Sequence, residues 1–243
     1  MSFDNERLAA IYDVDNPDGP DHDYFRALVE RLGARTVVDL GCGTGILTVT
    51  LSTSTRSVVG IDPSAAMLAR AKARPGGDGV EWRLGTSELI EPASTDIVIM
   101  SGNVAMHILG DDWHRTLAHI ERGLRPGGYL AFETRNPLTK AWENWNEPLT
   151  ERETPVGRLR DSVSTDPPDD AGIVTMHCYN EFANDGAVVT FDQQLQFRSL
   201  EQVTADLSYA ELRVVNMWRD WQGTPFTNTA QEPLMVVEAV KPL

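Results

Sequence analysis

Apolar positions along this chain switch repeatedly between a helical and a strand-like period. From His22 to Leu32 the residues Phe25, Leu28, Val29 and Leu32 recur at i, i+3, i+4 and i+7, which predicts an amphipathic helix closed by Gly33. Thr36-Val37-Val38-Asp39-Leu40 then reads as a short buried strand, and a helix is expected near Gly45-Ile46. Ser57 to Ile61 reads as a second strand. Pro63 suits the first position of a helix running from Ser64 to Arg74, which Pro75-Gly76-Gly77 breaks. Val80 to Leu84 is a third strand, and Asp96 to Met100 a fourth, apolar enough to be central in a sheet. Trp113, Leu117, Ile120 and Leu124 mark another helix, Arg125-Pro126-Gly127-Gly128 ends it, and Tyr129 to Thr134 is a fifth strand.

Strand and helix alternating in this way predict an α/β fold: a doubly wound, mostly parallel, seven-stranded sheet. The pattern lapses after Asn136. Residues 137–172 are rich in Pro, Asp, Glu and Trp and show no clear period. Two strand-like runs follow, Ile173 to Phe182 and Ala187 to Phe197, around the hairpin signal Asn184-Asp185-Gly186. The expected organisation is therefore one domain built from residues 1–136 and 200–243. Residues 137–199 are inserted after the fifth strand as a loop and an antiparallel β-hairpin covering the substrate side. A helix from Leu200 to Tyr209 and an antiparallel pair, Leu212 to Trp218 and Leu234 to Val240, complete the main domain.

The 243 residues, 41% hydrophobic and 23% charged, suffice for a large core. A formal net charge of −15 with no Lys/Arg run disfavours nucleic acid and anionic membranes as partners. Cys42 and Cys178 are too few and too far apart for a disulfide framework or a metal site. No stretch approaches the roughly 18 apolar residues of a membrane helix. The polar, acidic start from Met1 to Glu6 is unlike a signal peptide. A cytoplasmic monomer or homodimer is expected.

Candidate chemistry begins at Gly41, Gly43 and Gly45, which follow a strand directly. Glycine permits a tight turn there and close approach of a ligand to the backbone. About 20 residues on, Asp62 ends the second strand, where an acid can accept both ribose hydroxyls of an adenosine cofactor. It can also cap the following helix, and the two roles are compatible, with position favouring the ribose.

These stretches carry a family resemblance. Val38-Asp39-Leu40-Gly41-Cys42-Gly43-Thr44-Gly45 resembles the first motif of class I S-adenosylmethionine-dependent methyltransferases, and Val59-Gly60-Ile61-Asp62-Pro63-Ser64 resembles the second. Asp96-Ile97-Val98-Ile99 resembles the fourth-strand motif, and Leu124-Arg125-Pro126-Gly127-Gly128-Tyr129-Leu130 the turn into the fifth strand. The matches are in order over residues 35–135. The resemblance implies S-adenosyl-L-methionine as cofactor. The backbone from Gly41 through Cys42, Gly43 and Thr44 to Gly45 would contact its methionine and ribose parts, Asp39 would support the turn, and Asp62 would bind the ribose. Pro63 or Met67 would pack near the adenine, with core packing the other reading for Met67. Where the family often shows Gly-Asp-Ala, this chain has Gly85-Thr86-Ser87-Glu88, so the adenine contact would run through the Thr86 and Ser87 backbone or shift to Glu88.

A nicotinamide dinucleotide oxidoreductase is the rival on this fold. Its Gly-x-Gly-x-x-Gly fingerprint fails here, because Ile46 or Thr48 falls at the last position. A protein that holds the cofactor without transferring methyl is the other alternative.

Methyl transfer from a sulfonium is an in-line displacement in which the protein mainly orients the reactants. On such a sheet the reacting groups gather at the carboxyl ends of the strands. That singles out Ser101, Gly102 and Asn103 after the fourth strand, and Glu133, Arg135 and Asn136 at the end of the fifth. His107 has a suitable unperturbed pKa for a general base, and Glu133 is a second catalytic candidate. Trp142, Trp145, His177 and Tyr179 are candidates to line the insertion's cover, with Tyr12 and Tyr24 closing the site from the amino-terminal side. The expected activity is transfer of a methyl group to O, N or C of a small-molecule acceptor.

Overall fold

Asn5 starts the first helix, its side chain accepting from Arg7 N–H at 2.9 Å and Leu8 N–H at 3.3 Å. The structure, a computed structural model, describes residues 4–243, so the first three residues of the polar amino-terminal stretch lie outside the described residues. Helix α1 (Glu6–Asp15) is followed by α2 (Pro20–Arg31), which opens on Pro20 with Asp21 and Asp23 in its first turn. Those acids complement the positive end of the helix dipole.

The alternation then runs β1 (Thr36–Leu40), α3 (Thr48–Leu51), β2 (Ser57–Asp62), α4 (Ala65–Ala73), β3 (Glu81–Leu84) and β4 (Thr95–Met100). It continues with α5 (Val104–His107), α6 (Gly110–Gly123) and β5 (Leu124–Arg135). After the insertion come α7 (Leu200–Tyr209), β10 (Arg213–Trp218) and β11 (Leu234–Val240). The sheet order is β10-β11-β5-β4-β1-β2-β3, with β11 antiparallel to both neighbours and the pairs from β3 to β5 parallel. This is the seven-stranded, mostly parallel sheet expected.

Side chains alternate across it with the period of a strand. Val38, Leu40, Val98, Met100, Leu130 and Phe132 pack with Trp113, Leu117 and Leu207 on one face. Val37, Ile97, Ile99 and Ala131 pack with Phe25, Leu28 and Leu51 on the other. Asp39 and Glu133 follow the second register, so both carboxylates project from the α2 face.

The insertion holds more structure than expected. Besides β8 (Ile173–Phe182) and β9 (Ala187–Gln196), residues 137–172 supply β6 (Glu147–Thr154) and β7 (Gly157–Thr165), which complete a four-stranded antiparallel sheet, β6-β7-β8-β9. β6 is an edge strand with almost every residue exposed, so no alternation of apolar residues announces it. The inner face of this sheet packs on α1 at one end, through Leu8, Ile11, Leu159 and Phe182. At the other end Val174, Leu195 and Phe197 pack on Met106 of α5. Among the described residues no helix is long and apolar enough to cross a membrane.

Candidate active site

The strand order reverses between β1 and β4, so the segments leaving their carboxyl ends diverge around a crevice. A cavity of about 270 Å³ opens there. Its floor is Gly41 to Thr44 after β1 and Ser101 to Asn103 after β4. Glu133 and Arg135 of β5 line it together with Tyr12, Asp21, His22 and Trp221. A second, more open hollow of about 390 Å³ lies between α7 and β10 at the end of the sheet where β5 begins, away from all these residues.

The glycine turn keeps most of its N–H groups for itself. Gly41 and Cys42 donate to the Ile61 carbonyl at 2.7 and 3.1 Å, and Gly45 donates to the Cys42 carbonyl at 2.9 Å. Gly43 donates to Asp62 Oδ2 at 2.8 Å, and Ser64 N–H donates to Asp62 Oδ1 at 2.8 Å. A phosphate cradle needs such donors free, so the turn suits a ligand without a pyrophosphate. The helix expected at Gly45-Ile46 begins only at Thr48 and runs for four residues.

The three glycines are not equivalent. A Cβ on Gly41 would lie 2.4 Å from Val104, and one on Gly45 would lie 2.6 Å from Trp82. Both are fixed by packing between elements. A Cβ on Gly43 would meet only Tyr12, at 3.9 Å, and one on Gly102 only the Tyr12 hydroxyl, at 3.9 Å. Gly43 and Gly102, both at positive φ, therefore form a backbone cradle beneath Tyr12. Helix α1 is clamped over it: Asp13 accepts from Thr44 Oγ1 and pairs with Arg74, whose Nε donates to the Thr44 carbonyl at 3.0 Å.

Three buried polar atoms lack a hydrogen-bond partner among the described residues, and two are carboxylate oxygens here, Asp39 Oδ1 and Glu133 Oε2. The other oxygen of Asp39 accepts from Thr48 Oγ1 at 2.6 Å. Burial pushes the Asp39 carboxyl up to about 6, against the Thr48 hydrogen bond. Glu133 Oε1 accepts the N–H of Asn103, whose side-chain Oδ1 receives Arg135 Nε at 3.2 Å. Burial pushes Glu133 up to about 7. Desolvation likewise holds Asp62 above its usual range, opposed by the Ser64 and Gly43 amides.

Other expected positions fall elsewhere. His107 does not line the cavity: its Nε2 lies 3.5 Å from Gln193 Nε2 on the inner face of β9, and burial of the ring holds its pKa below the usual value. Tyr24 donates to Glu238 at 2.6 Å and packs on Phe25 and Trp221. Trp142 and Trp145 pack on Phe197, at 4.7 and 5.5 Å between ring centroids, and so build the core of the insertion. His177 and Tyr179 face outward, His177 between Asp192 and Asp166, Tyr179 on Glu181. Asn136 is buried and caps the turn after β5 through Leu138 N–H. Met67 is buried in the core, Pro63 is half-buried, Thr86 is exposed, and the Ser87 hydroxyl is spent on Thr116 and His119.

Sequence reasoning missed Asp21, His22 and Trp221. The first two occupy the acidic first turn of α2, a visible signal of a helix start aimed at a site. Trp221 sits in a turn-rich link with no pattern to mark it.

Comparison with known proteins agrees with this geometry. Residues 37–128 match the family model described as a methyltransferase domain. A cypemycin N-terminal methyltransferase from a Streptomyces species is 28% identical over 215 residues, 85% of this chain and 84% of that protein. A ubiquinone biosynthesis O-methyltransferase of Paramagnetospirillum magneticum is 33% identical over 118 residues, so the match spans about half of each protein, 48% of this chain and 47% of that one. The solved structure of the CcbJ methyltransferase from Streptomyces caelestis superposes with a TM-score of 0.77 at 21% identity, covering 100% of this chain and 99% of that one.

The residues present fit the cofactor that such enzymes use. The Gly43 and Gly102 cradle admits close backbone contact, Asp62 retains lone pairs beyond its two amide bonds, and Asp39 Oδ1 offers an unused acceptor. Residues 37–128 match a methyltransferase domain, and S-adenosyl-L-methionine is the cofactor that the residues around the glycine turn fit.

Proposed function

We propose that this enzyme methylates O, N or C of a small molecule held between the cavity and the inner face of the inserted sheet. The observation that carries the reading is the cavity itself, lined by the glycine turn and by Asn103, Glu133 and Arg135. S-adenosylmethionine, when bound, supplies an electrophilic methyl group on a sulfonium. The chain's own residues bind, orient and exclude water. Asp62 takes the ribose hydroxyls. The backbone from Gly41 to Thr44, with Ser101 and Gly102, holds the remainder of the cofactor, and Asp39 reaches its amine through water. The acceptor enters beside Arg135, under Tyr12. The inserted sheet packs on α1 and α5, which supports reading it as the cover on the acceptor side.

Calorimetric titration tests the cofactor part. S-adenosylmethionine and S-adenosylhomocysteine should bind, NADH should not, and Asp62→Ala should weaken both by about tenfold or more, the loss of one to two strong hydrogen bonds. Transfer is then read as S-adenosylhomocysteine formed with a panel of small acceptors. Binding of NADH alone would overturn the reading. Tight cofactor binding with no transfer to any acceptor would favour a non-catalytic binding protein.

A further inference from the structure

Glu133 has an unpartnered oxygen in the wall of the cavity. It is 3% exposed, it lines the cavity, and its Oε2 has no partner among the described residues while Oε1 is held by Asn103 N–H. A buried acceptor atom left unpaired costs free energy unless a ligand supplies the donor. The walls around it suit a cation. Tyr12 and Trp221 present aromatic rings and Asp21 adds a second carboxylate, while the two basic groups of the lining are already engaged, Arg135 with Asn103 and His22 with Asp18 and Asp21.

We propose that the methyl acceptor is an aliphatic amine and that Glu133 Oε2 receives its ammonium group and takes one proton from it. The proposal rests on the small-molecule methyltransferase reading above and names the substrate class. The proton balance is direct. The ammonium gives one proton to the Glu133 carboxylate. The freed nitrogen lone pair forms the new N–C bond as the C–S bond of the donor breaks, its electron pair staying on sulfur as a neutral thioether. The product leaves as the methylated ammonium, and Glu133 returns its proton to solvent.

The acidity of Glu133 is matched to this task and to few others. Burial, with Asp21 of α2 adding to it, raises the carboxyl to about 7, while the Asn103 amide and Arg135 pull it down. From α1 the Tyr12 phenol faces it, itself pushed up to about 12 by burial and by nearby carboxylates, and so stays neutral. β11 places Val236 opposite, with no charge. An α-amino group titrates at about 8, within reach of such a base. A hydroxyl near water's roughly 15.7 is not.

The cofactor carries an ammonium of its own, so the test separates the two. Glu133→Gln keeps the shape of the side chain and the acceptor oxygen for Asn103. S-Adenosylhomocysteine affinity should change by less than about threefold; a loss of tenfold or more would assign Glu133 to the cofactor and overturn the proposal. Matched amines and alcohols are then offered to the native enzyme. Transfer to amines is expected. Transfer to alcohols alone sinks the amine assignment while leaving the methyltransferase reading intact, and no transfer to any acceptor sinks both. In kcat/KM against pH with an amine, the native enzyme should show an acid limb near 7 that Glu133→Gln removes, with kcat/KM lowered by about 10²-fold or more. Infrared difference spectra of the cofactor-free protein give a readout independent of activity. A protonated-carboxyl band should titrate near 7 and be absent in Glu133→Gln, and a band unchanged by the substitution overturns the assignment.

Discussion

Arg152 of β6 holds Asp15, the last residue of α1, through two N–H···O contacts of 2.6 and 3.0 Å, while its Nε donates to Asp161 at 2.9 Å. The hydrogen bond to Asp15, with Asp161 reinforcing it, raises the guanidinium pKa, so Arg152 itself stays charged. The inserted sheet is thereby tied to the helix that carries Tyr12 over the cavity. About a third of both side chains is exposed, so the pair is expected to contribute about 1 kcal/mol. Arg152→Ala should lower Tm by about 2–4 °C, speed amide exchange in residues 6–15, and raise the acceptor KM more than it lowers kcat. Unchanged exchange in α1 would show that the apolar contacts of Leu8 and Ile11 hold the helix unaided.

The unlike surroundings of Gly43 and Gly45 make a paired test. Gly45→Ala puts a Cβ 2.6 Å from the Trp82 ring and 3.1 Å from Ala71, at φ +74°. Overpacking and left-handed strain together should cost about 2–4 kcal/mol, read as a drop in the urea midpoint. Gly43→Ala, at φ +54° with only Tyr12 at 3.9 Å, pays about 1 kcal/mol of backbone strain and no clash. Its methyl enters the cradle, so its main effect should be a loss of S-adenosylhomocysteine affinity. Equal stability losses in the two variants would contradict this division.

That division also marks how far the sequence could be read. The elements of the main domain, the glycine turn and Asp62 are legible because local chemistry decides them: continuous apolar runs in β1 and β4, a Gly-rich turn after a strand, an acid at the end of β2. The sequence could not say which glycine faces the ligand, because Val104 and Trp82 come from 63 and 37 residues away along the chain. α1 is not legible, since Leu8 and Ile11 pack on Leu159 and Phe182 of the inserted sheet, far away along the chain. β6 and β7 do not announce themselves in the sequence because backbone pairing, not an apolar face, holds β6. Trp142 and Trp145 looked like substrate walls because composition cannot distinguish an aromatic pair that lines a site from one that cores an insertion.

Stability should fall as pH rises through the range where the two buried acids ionise. Glu133 is raised from 4.5 to about 7 and Asp39 from 3.8 to about 6. Each binds its proton more tightly folded than unfolded. Their contribution is therefore fully present below about pH 4 and is lost progressively up to about pH 7. Glu133→Gln removes one of the two titrations. Relative to the native protein it should be more stable at pH 8 than at pH 5, read from urea midpoints at both values. A difference independent of pH would mean that Glu133 ionises at an ordinary value.

Glu238 presents the opposite case, a buried carboxylate with every need met. It is 0% exposed, yet it accepts from Tyr24 at 2.6 Å, Arg31 at 2.8 Å, Asn216 at 2.9 Å and Trp218 at 3.2 Å. Burial alone would raise its pKa, but the donors led by Tyr24 outweigh it and hold the carboxyl below the usual value. A depressed carboxylate contributes stability at neutral pH that is lost as pH falls through its folded pKa. Glu238→Ala strands several part-buried donors and should cost about 3–5 kcal/mol, with Glu238→Gln costing less because it keeps one acceptor. Tyr24 also bears on the acceptor site, since its ring packs at 5.6 Å on Trp221, which lines the cavity. Tyr24→Phe breaks the hydrogen bond and keeps that packing. If Tyr24 is structural, this variant loses about 1–2 kcal/mol of stability and retains its acceptor KM. A raised KM at unchanged stability would instead return Tyr24 to the substrate.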